Sequence, residues 1–169
     1  MDLVIVRHGI AEDREVFART GKPDEERPLT AAGRKRMRRS ALGLRSLVEE
    51  IDILASSPLT RAVQTAEILA DAFGGVELTI LEELVPTARP HRLLDWLERN
   101  HAAEVVVVVG HEPHVGSALA WLTSGVDEPF ASFKKGGAAL IRLAQDAAAG
   151  EAELRWLLTA GQLRRLGGC

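Results

Sequence analysis

Three short polar strings in this chain each follow a run of β-branched or apolar residues. They are Arg7-His8-Gly9, Ser56-Ser57-Pro58-Leu59-Thr60-Arg61 and Gly110-His111. A neutral imidazole nitrogen is a competent nucleophile near pH 7. An arginine brings a permanent charge and a planar fork that matches the oxygens of a phosphate. Taken singly, His8 reads as a buried histidine bonded to backbone at a strand end. Taken together, the strings deliver two histidines and two arginines to three strand ends. Two buried arginines without an anion would be costly, so an oxyanion ligand is the economical explanation.

The surrounding pattern says how these residues meet. Residues 3–6, 51–55, 76–81 and 104–109 read as short buried strands, and five consecutive valines make 105–109 a strand covered on both faces. Helices are expected from Thr30, as cap, to about residue 50, after a Ser57 cap with Pro58 in the first turn, over 89–101 and over 113–122. Residues 138–143 and 154–158 read as a final antiparallel pair joined by a turn at 147–150. Residues 10–29, with Pro23 and Pro28, read as a long surface loop. Strands alternating with helices predict a single-domain α/β fold, a three-layer α/β/α sandwich on a mostly parallel mixed sheet. In such sheets ligands bind at the carboxyl ends of the strands, where all three strings fall.

Other chemistries lack their signatures. His111-Glu112-Pro113-His114 is one residue short of the zinc-protease pattern His-Glu-x-x-His, and no zinc or other metal is expected. No Asp-x-Asp, Gly-x-Ser-x-Gly, Gly-x-Gly-x-x-Gly or phosphate-loop string occurs. The single cysteine, Cys169, excludes a disulfide framework, a thiolate zinc site and a buried cysteine nucleophile. The nucleophile left in the crevice is a histidine.

Arg7-His8-Gly9 after an N-terminal strand resembles the signature of the histidine phosphatase superfamily. The string Ser57-Pro58-Leu59-Thr60-Arg61-Ala62-Val63-Gln64-Thr65-Ala66 looks like its second arginine motif, and Gly110-His111-Glu112-Pro113 like its second histidine motif. Arg27-Pro28-Leu29-Thr30-Ala31-Ala32-Gly33 matches its Leu-Thr-x-x-Gly helix start. Small size and the Arg-Pro-Leu-Thr string are most similar to the SixA-type phosphohistidine phosphatases. The resemblance implies one domain over 1–169 and no cofactor. It makes His8 the nucleophile that carries the phosphoryl group, with Arg7, Arg61 and a protonated His111 holding the phosphate oxygens. Arg27 and Ser57 are further candidate phosphate contacts, and Glu83 is a candidate acid for the leaving group. His114 reads as a helix-surface histidine.

Composition narrows the partners. The chain has 169 residues, a formal net charge of −3, four Phe, three Trp and no Tyr, which argues against stacking platforms for nucleic acid. No apolar run approaches the roughly 20 residues of a membrane span, and no basic region precedes the first apolar run as in a signal peptide. A cytoplasmic protein is expected, with no nucleic-acid or membrane partner. Its substrate is either a phosphorylated protein or a small phosphate ester, and a non-catalytic phosphate-binding module is the third reading. The basic run 34–39 reads as a solvated helix face or as a docking patch for an acidic partner.

Overall fold

The computed structural model describes residues 1–144 and 148–168. Cys169 and the first residue of the turn expected at 147–150 therefore lie outside the described residues. One six-stranded sheet organises the chain, in the order β3-β2-β4-β1-β5-β6. Its strands are β1 (Asp2–Arg7), β2 (Ile53–Ser56), β3 (Leu78–Ile80), β4 (Val105–Gly110), β5 (Ala138–Arg142) and β6 (Glu153–Leu158). The pairs β1–β4, β2–β4 and β2–β3 are parallel, whereas β1–β5 and β5–β6 are antiparallel.

Side chains alternate across a strand, so the apolar runs of β1 and β4 feed two separate cores. Leu3, Ile5, Val106 and Val108 face α4 (Pro90–Arg99) and α5 (His114–Ser124). Val4, Val6, Val107 and Val109 face α2 (Ala31–Arg45), α3 (Thr60–Ala72) and α6 (Ala160–Leu166). All eight are at most 1% exposed, and burying each stabilises the fold by about 1.5–3 kcal/mol. This is the three-layer sandwich expected, with a short α1 (Arg14–Ala18) added inside the long loop.

Two helix boundaries and one added helix have physical reasons. Helix α2 begins at its Thr30 cap, whose Oγ1 accepts from Gly33 N–H at 2.8 Å, but it stops at Arg45. There the Ser46 hydroxyl bonds back to the Gly43 carbonyl at 2.8 Å, competing with the helix ladder. Helix α3 starts at Thr60 with Leu59 as cap, because the Ser57 side chain is engaged elsewhere. Helix α6 carries a capping box from Thr159 to Gln162 and has no counterpart in the sequence reading.

Register fixes the site. Arg7 pairs with Gly110 across β1 and β4, and Ser56 pairs with Val109 across β2 and β4. His8, Ser57 and His111 therefore leave three adjacent strands at one level. Among the described residues, no helix is long and apolar enough to cross a membrane.

Candidate active site

His8 and His111 face one another with ring centroids 5.0 Å apart and planes at 51°. Both are buried. The His8 backbone is held on both sides: its N–H donates to the Gly110 carbonyl, and its carbonyl accepts from Gly136 N–H, each at 3.0 Å. Its Nδ1 lies 2.7 Å from the Gly9 carbonyl oxygen. A carbonyl only accepts, so Nδ1 carries the proton and Nε2 keeps its lone pair. Burial, with Arg61, Arg7 and Lys135 adding like-charge repulsion, pushes the His8 pKa down to about 3. The ring is thus neutral at pH 7, with one nitrogen available as nucleophile.

His111 Nε2 lies 2.9 Å from Ser57 Oγ, and its Nδ1 is buried with no partner. Burial and repulsion from His8, Arg61, His114 and Arg7 lower its pKa to about 2. The ring is therefore neutral in the free protein, and phosphate is the charge that would favour the protonated form expected of His111. Ser57 is not the cap of the following helix. Its hydroxyl serves His111 instead, and only a long 3.4 Å contact reaches Leu59 N–H.

The two arginines are anchored in parallel ways. Arg7 Nη1 donates to the Phe133 carbonyl, and Arg61 Nη1 donates to the Asp24 carbonyl at 2.9 Å. In each, Nε is buried and unpaired. Arg61 also pairs with the Asp24 carboxylate at 3.2 Å. That carboxylate holds Arg27 Nε at 2.7 Å, and Arg27 Nη1 donates to the Glu12 carbonyl at 2.8 Å. The hydrogen bond from Arg27, with Arg61 and Arg14 nearby, holds the Asp24 pKa near 2 despite partial burial. Arg27 is therefore buried beside the crevice with its donors spent within the protein, one carboxylate away from Arg61.

Glu83, the candidate acid, is held in an ion pair. It lies 3.7 Å from Arg92 of α4, while its neighbour Glu82 lines a cavity of about 810 Å³ that opens beside Arg61, Asp24 and Pro58. His114 is buried, not on the surface, and burial lowers its pKa to about 4.

Four supporting residues went unread in the sequence. Thr65 Oγ1 accepts Gly9 N–H at 3.0 Å and donates to the Arg61 carbonyl at 2.7 Å, one helical turn from Arg61 and so on its face. Asp24 sits three residues before Arg27. The Glu112 carboxylate accepts Phe133 N–H at 2.6 Å, joining the residue after His111 to the one that holds Arg7. Among the described residues, no cluster of three or more His, Cys, Asp or Glu is placed to hold a metal ion.

What this geometry offers is a neutral nucleophile beside three buried, unpaired nitrogen atoms, those of Arg7, Arg61 and His111. Known proteins resemble the chain in sequence and fold. The family model for the histidine phosphatase superfamily (branch 1) matches residues 3–85. An uncharacterised protein of Picosynechococcus is 38% identical over 139 residues, 81% of this chain and 82% of its own. Phosphohistidine phosphatase SixA of Escherichia coli is 32% identical over 132 residues, 76% of this chain and 78% of its own. A solved structure of the protein histidine phosphatase SixA with tungstate superposes with a TM-score of 0.83 at 29% identity, covering 96% of this chain and 99% of that one.

Proposed function

This chain belongs to the histidine phosphatase superfamily and is a phosphatase, and from that premise we propose that its substrate is phosphohistidine on a protein. The observation that carries the reading is how the carboxylates near the crevice are engaged: Glu83 pairs with Arg92, Glu112 accepts Phe133 N–H, and Asp24 beside Arg61 is held ionised by Arg27. Ester hydrolysis gains from an acid that protonates the leaving oxygen. A phosphohistidine ring protonated on its far nitrogen needs none. When its P–N bond breaks, the electron pair returns to the ring and neutral imidazole departs.

In the first step the lone pair of His8 Nε2 forms a bond to phosphorus as the substrate P–N bond breaks. Arg7 and Arg61 hold the non-bridging oxygens through Nε, preorganised by their backbone anchors. The incoming phosphate dianion reverses the electrostatics around His111, which takes up a proton and becomes a third donor. In the second step water attacks phosphorus and the P–Nε2 bond breaks. The proton that Gly9 holds on Nδ1 lets His8 leave as neutral imidazole, and the water proton ends on phosphate or in solvent. Every group in this scheme is a protein side chain or backbone atom, and no metal or cofactor is assigned a step. Arg27 acts through Asp24 to fix Arg61.

Wild-type protein, rapidly quenched in base after exposure to labelled phosphohistidine protein and separated from it, should carry an acid-labile, base-stable phosphoryl group that His8→Ala lacks. The phosphohistidine protein should be turned over at least about 10-fold more efficiently than sugar phosphates or nucleotides, a difference of about 1.4 kcal/mol. Faster turnover of a small ester would assign the site to that class instead. A His8→Ala protein as fast as wild type would overturn the mechanism, and tight phosphate binding without any turnover would leave a binding module.

A further inference from the structure

Helix α2 carries six cations, Arg34, Lys35, Arg36, Arg38, Arg39 and Arg45, and α6, packed beside it, adds Arg164 and Arg165. Neither helix contains an aspartate or glutamate. None of these eight cations takes part in an ion pair among the described residues. The chain as a whole has a formal charge of −3, so this concentration runs against the composition.

It also runs against helix energetics. The first turn of a helix favours negative charge, yet α2 has no acidic residue there and ends that turn on Arg34, with Lys35 and Arg36 following. Arg34 with Arg38 and Lys35 with Arg39 are like-charged pairs four residues apart, which repel on one face. A face kept only for solubility would interleave signs. Lys35, Arg36, Arg38 and Arg39 are exposed, and with them stand two exposed apolar side chains, Leu42 at 51% and Leu166 at 48%.

The ridge starts at the reacting centre. Gly136, whose N–H holds the His8 carbonyl, lies against Met37 of α2 and Ala160, the first residue of α6. Thr30, the cap of α2, donates its N–H to the Ile10 carbonyl at 3.0 Å, two residues beyond His8. At 1.5 Å per residue, α2 carries the basic surface roughly 20 Å outward from that point.

We propose that the α2–α6 ridge is the docking surface for an acidic protein, whose complementary face seats there while its phosphorylated side chain enters the crevice. This deepens the phosphohistidine-protein reading and rests on it for the identity of the docked partner. Complementary charge over such a ridge raises the encounter rate and fixes orientation, and it is weakened by salt.

The test is direct binding of a fluorescent, unphosphorylated glutamate-rich peptide, read by anisotropy on the full chain. It is paired with turnover of p-nitrophenyl phosphate and of peptides carrying one phosphohistidine amid glutamates or amid serines. Wild type should bind the glutamate-rich peptide and lose it with rising salt. The variant Arg36→Glu/Arg38→Glu/Arg39→Glu should weaken binding at least about 10-fold. It should lower kcat/KM for the acidic phosphopeptide to match, and leave p-nitrophenyl phosphate unchanged. If charge reversal perturbs folding, Arg36→Gln/Arg39→Gln gives the same comparison. The proposal is overturned if the glutamate peptide does not bind, if the variant slows p-nitrophenyl phosphate equally, or if duplex DNA or phosphatidylserine vesicles bind the ridge and the peptide fails to displace them. Peptide binding that is lost in the variant, without turnover of any phosphohistidine peptide, supports the docking surface and overturns the substrate reading alone.

Discussion

Arg7 and Arg61 reach the same pair of histidines from different elements, and each is anchored in the same manner. One Nη1 is tied to a backbone carbonyl, of Phe133 or Asp24, and Nε is left buried and unpaired. A buried N–H without a partner is destabilising, and two of them beside a neutral histidine pair are stabilised when an anion arrives.

Replacing either arginine by lysine keeps the charge and removes the fork together with the anchored Nη1. Loss of an oriented donor to a reacting oxyanion typically lowers kcat by about 100- to 1,000-fold. Arg7→Lys and Arg61→Lys should both fall in that range, and inorganic phosphate should inhibit each more weakly than wild type. A lysine variant within about 3-fold of wild type, worth under 1 kcal/mol, would mean that charge alone suffices.

The depressed histidines set two pH dependences. His8 is held at about 3 and His111 at about 2 in the free protein, so the nucleophile stays neutral well below the ordinary histidine value. After correction for substrate ionisation, kcat/KM should show no acid limb near the ordinary value of about 6.5. Stability behaves differently. Between the folded and unfolded pKa values the unfolded chain binds more protons, so stability rises with pH there. The contribution of His8, His111 and His114, the last held at about 4 by burial, is complete above the unfolded value and is lost as pH falls toward 4 and below. Melting temperature should therefore drop from pH 7 to pH 4, and the drop should shrink when all three are replaced by residues that do not titrate.

Glu112 joins the residue after His111 to the anchor of Arg7. Its carboxylate accepts Phe133 N–H at 2.6 Å, and the Phe133 carbonyl receives Arg7. Misplacing a guanidinium by about 1 Å can cost about 100-fold in rate. Glu112→Ala should lower kcat and weaken phosphate inhibition. Glu112→Gln keeps an amide oxygen for Phe133 N–H and should recover most of both. The double variant Arg7→Ala/Glu112→Ala should be no slower than Arg7→Ala alone, because Glu112 acts through Arg7. Additive losses would place Glu112 in an independent role.

The four central residues were legible because strand periodicity and the parallel-sheet rule together fix where a strand end must point. Arg7, His8 and His111 follow continuous apolar runs that read as strands covered on both faces, Arg61 opens the helix after a third, and β1 and β4 pair Arg7 with Gly110. What surrounds them was not legible, since it depends on contacts between distant, aperiodic segments. Asp24 lies in a loop and meets Arg61 thirty-seven residues later. Glu112 meets Phe133, and Ser57 leaves its cap position for His111 fifty-four residues on. His114 reads as a helix-surface residue from local pattern, yet it is 2% exposed once the chain is packed. Local pattern predicts elements and edges, whereas the partners that tune a site are supplied by long-range packing.

The seam between α2 and α6 carries a steric prediction of its own. At Gly43 a Cβ would meet the Leu163 carbonyl oxygen at 1.8 Å and the Gly167 nitrogen at 3.0 Å. These are backbone atoms of α6 and its cap, so no side-chain rotation relieves the clash and the two helices must part. Overpacking of this kind typically costs about 1–3 kcal/mol. Gly43→Ala should lower the midpoint of chemical denaturation accordingly. The reacting centre is built on the ends of β1, β2 and β4 and the first turn of α3, whereas Gly43 faces α6, so turnover of p-nitrophenyl phosphate per folded molecule should stay at the wild-type level. A stability change within about 0.5 kcal/mol, the usual range for an exposed site, would show that α6 is not seated against Gly43 as described.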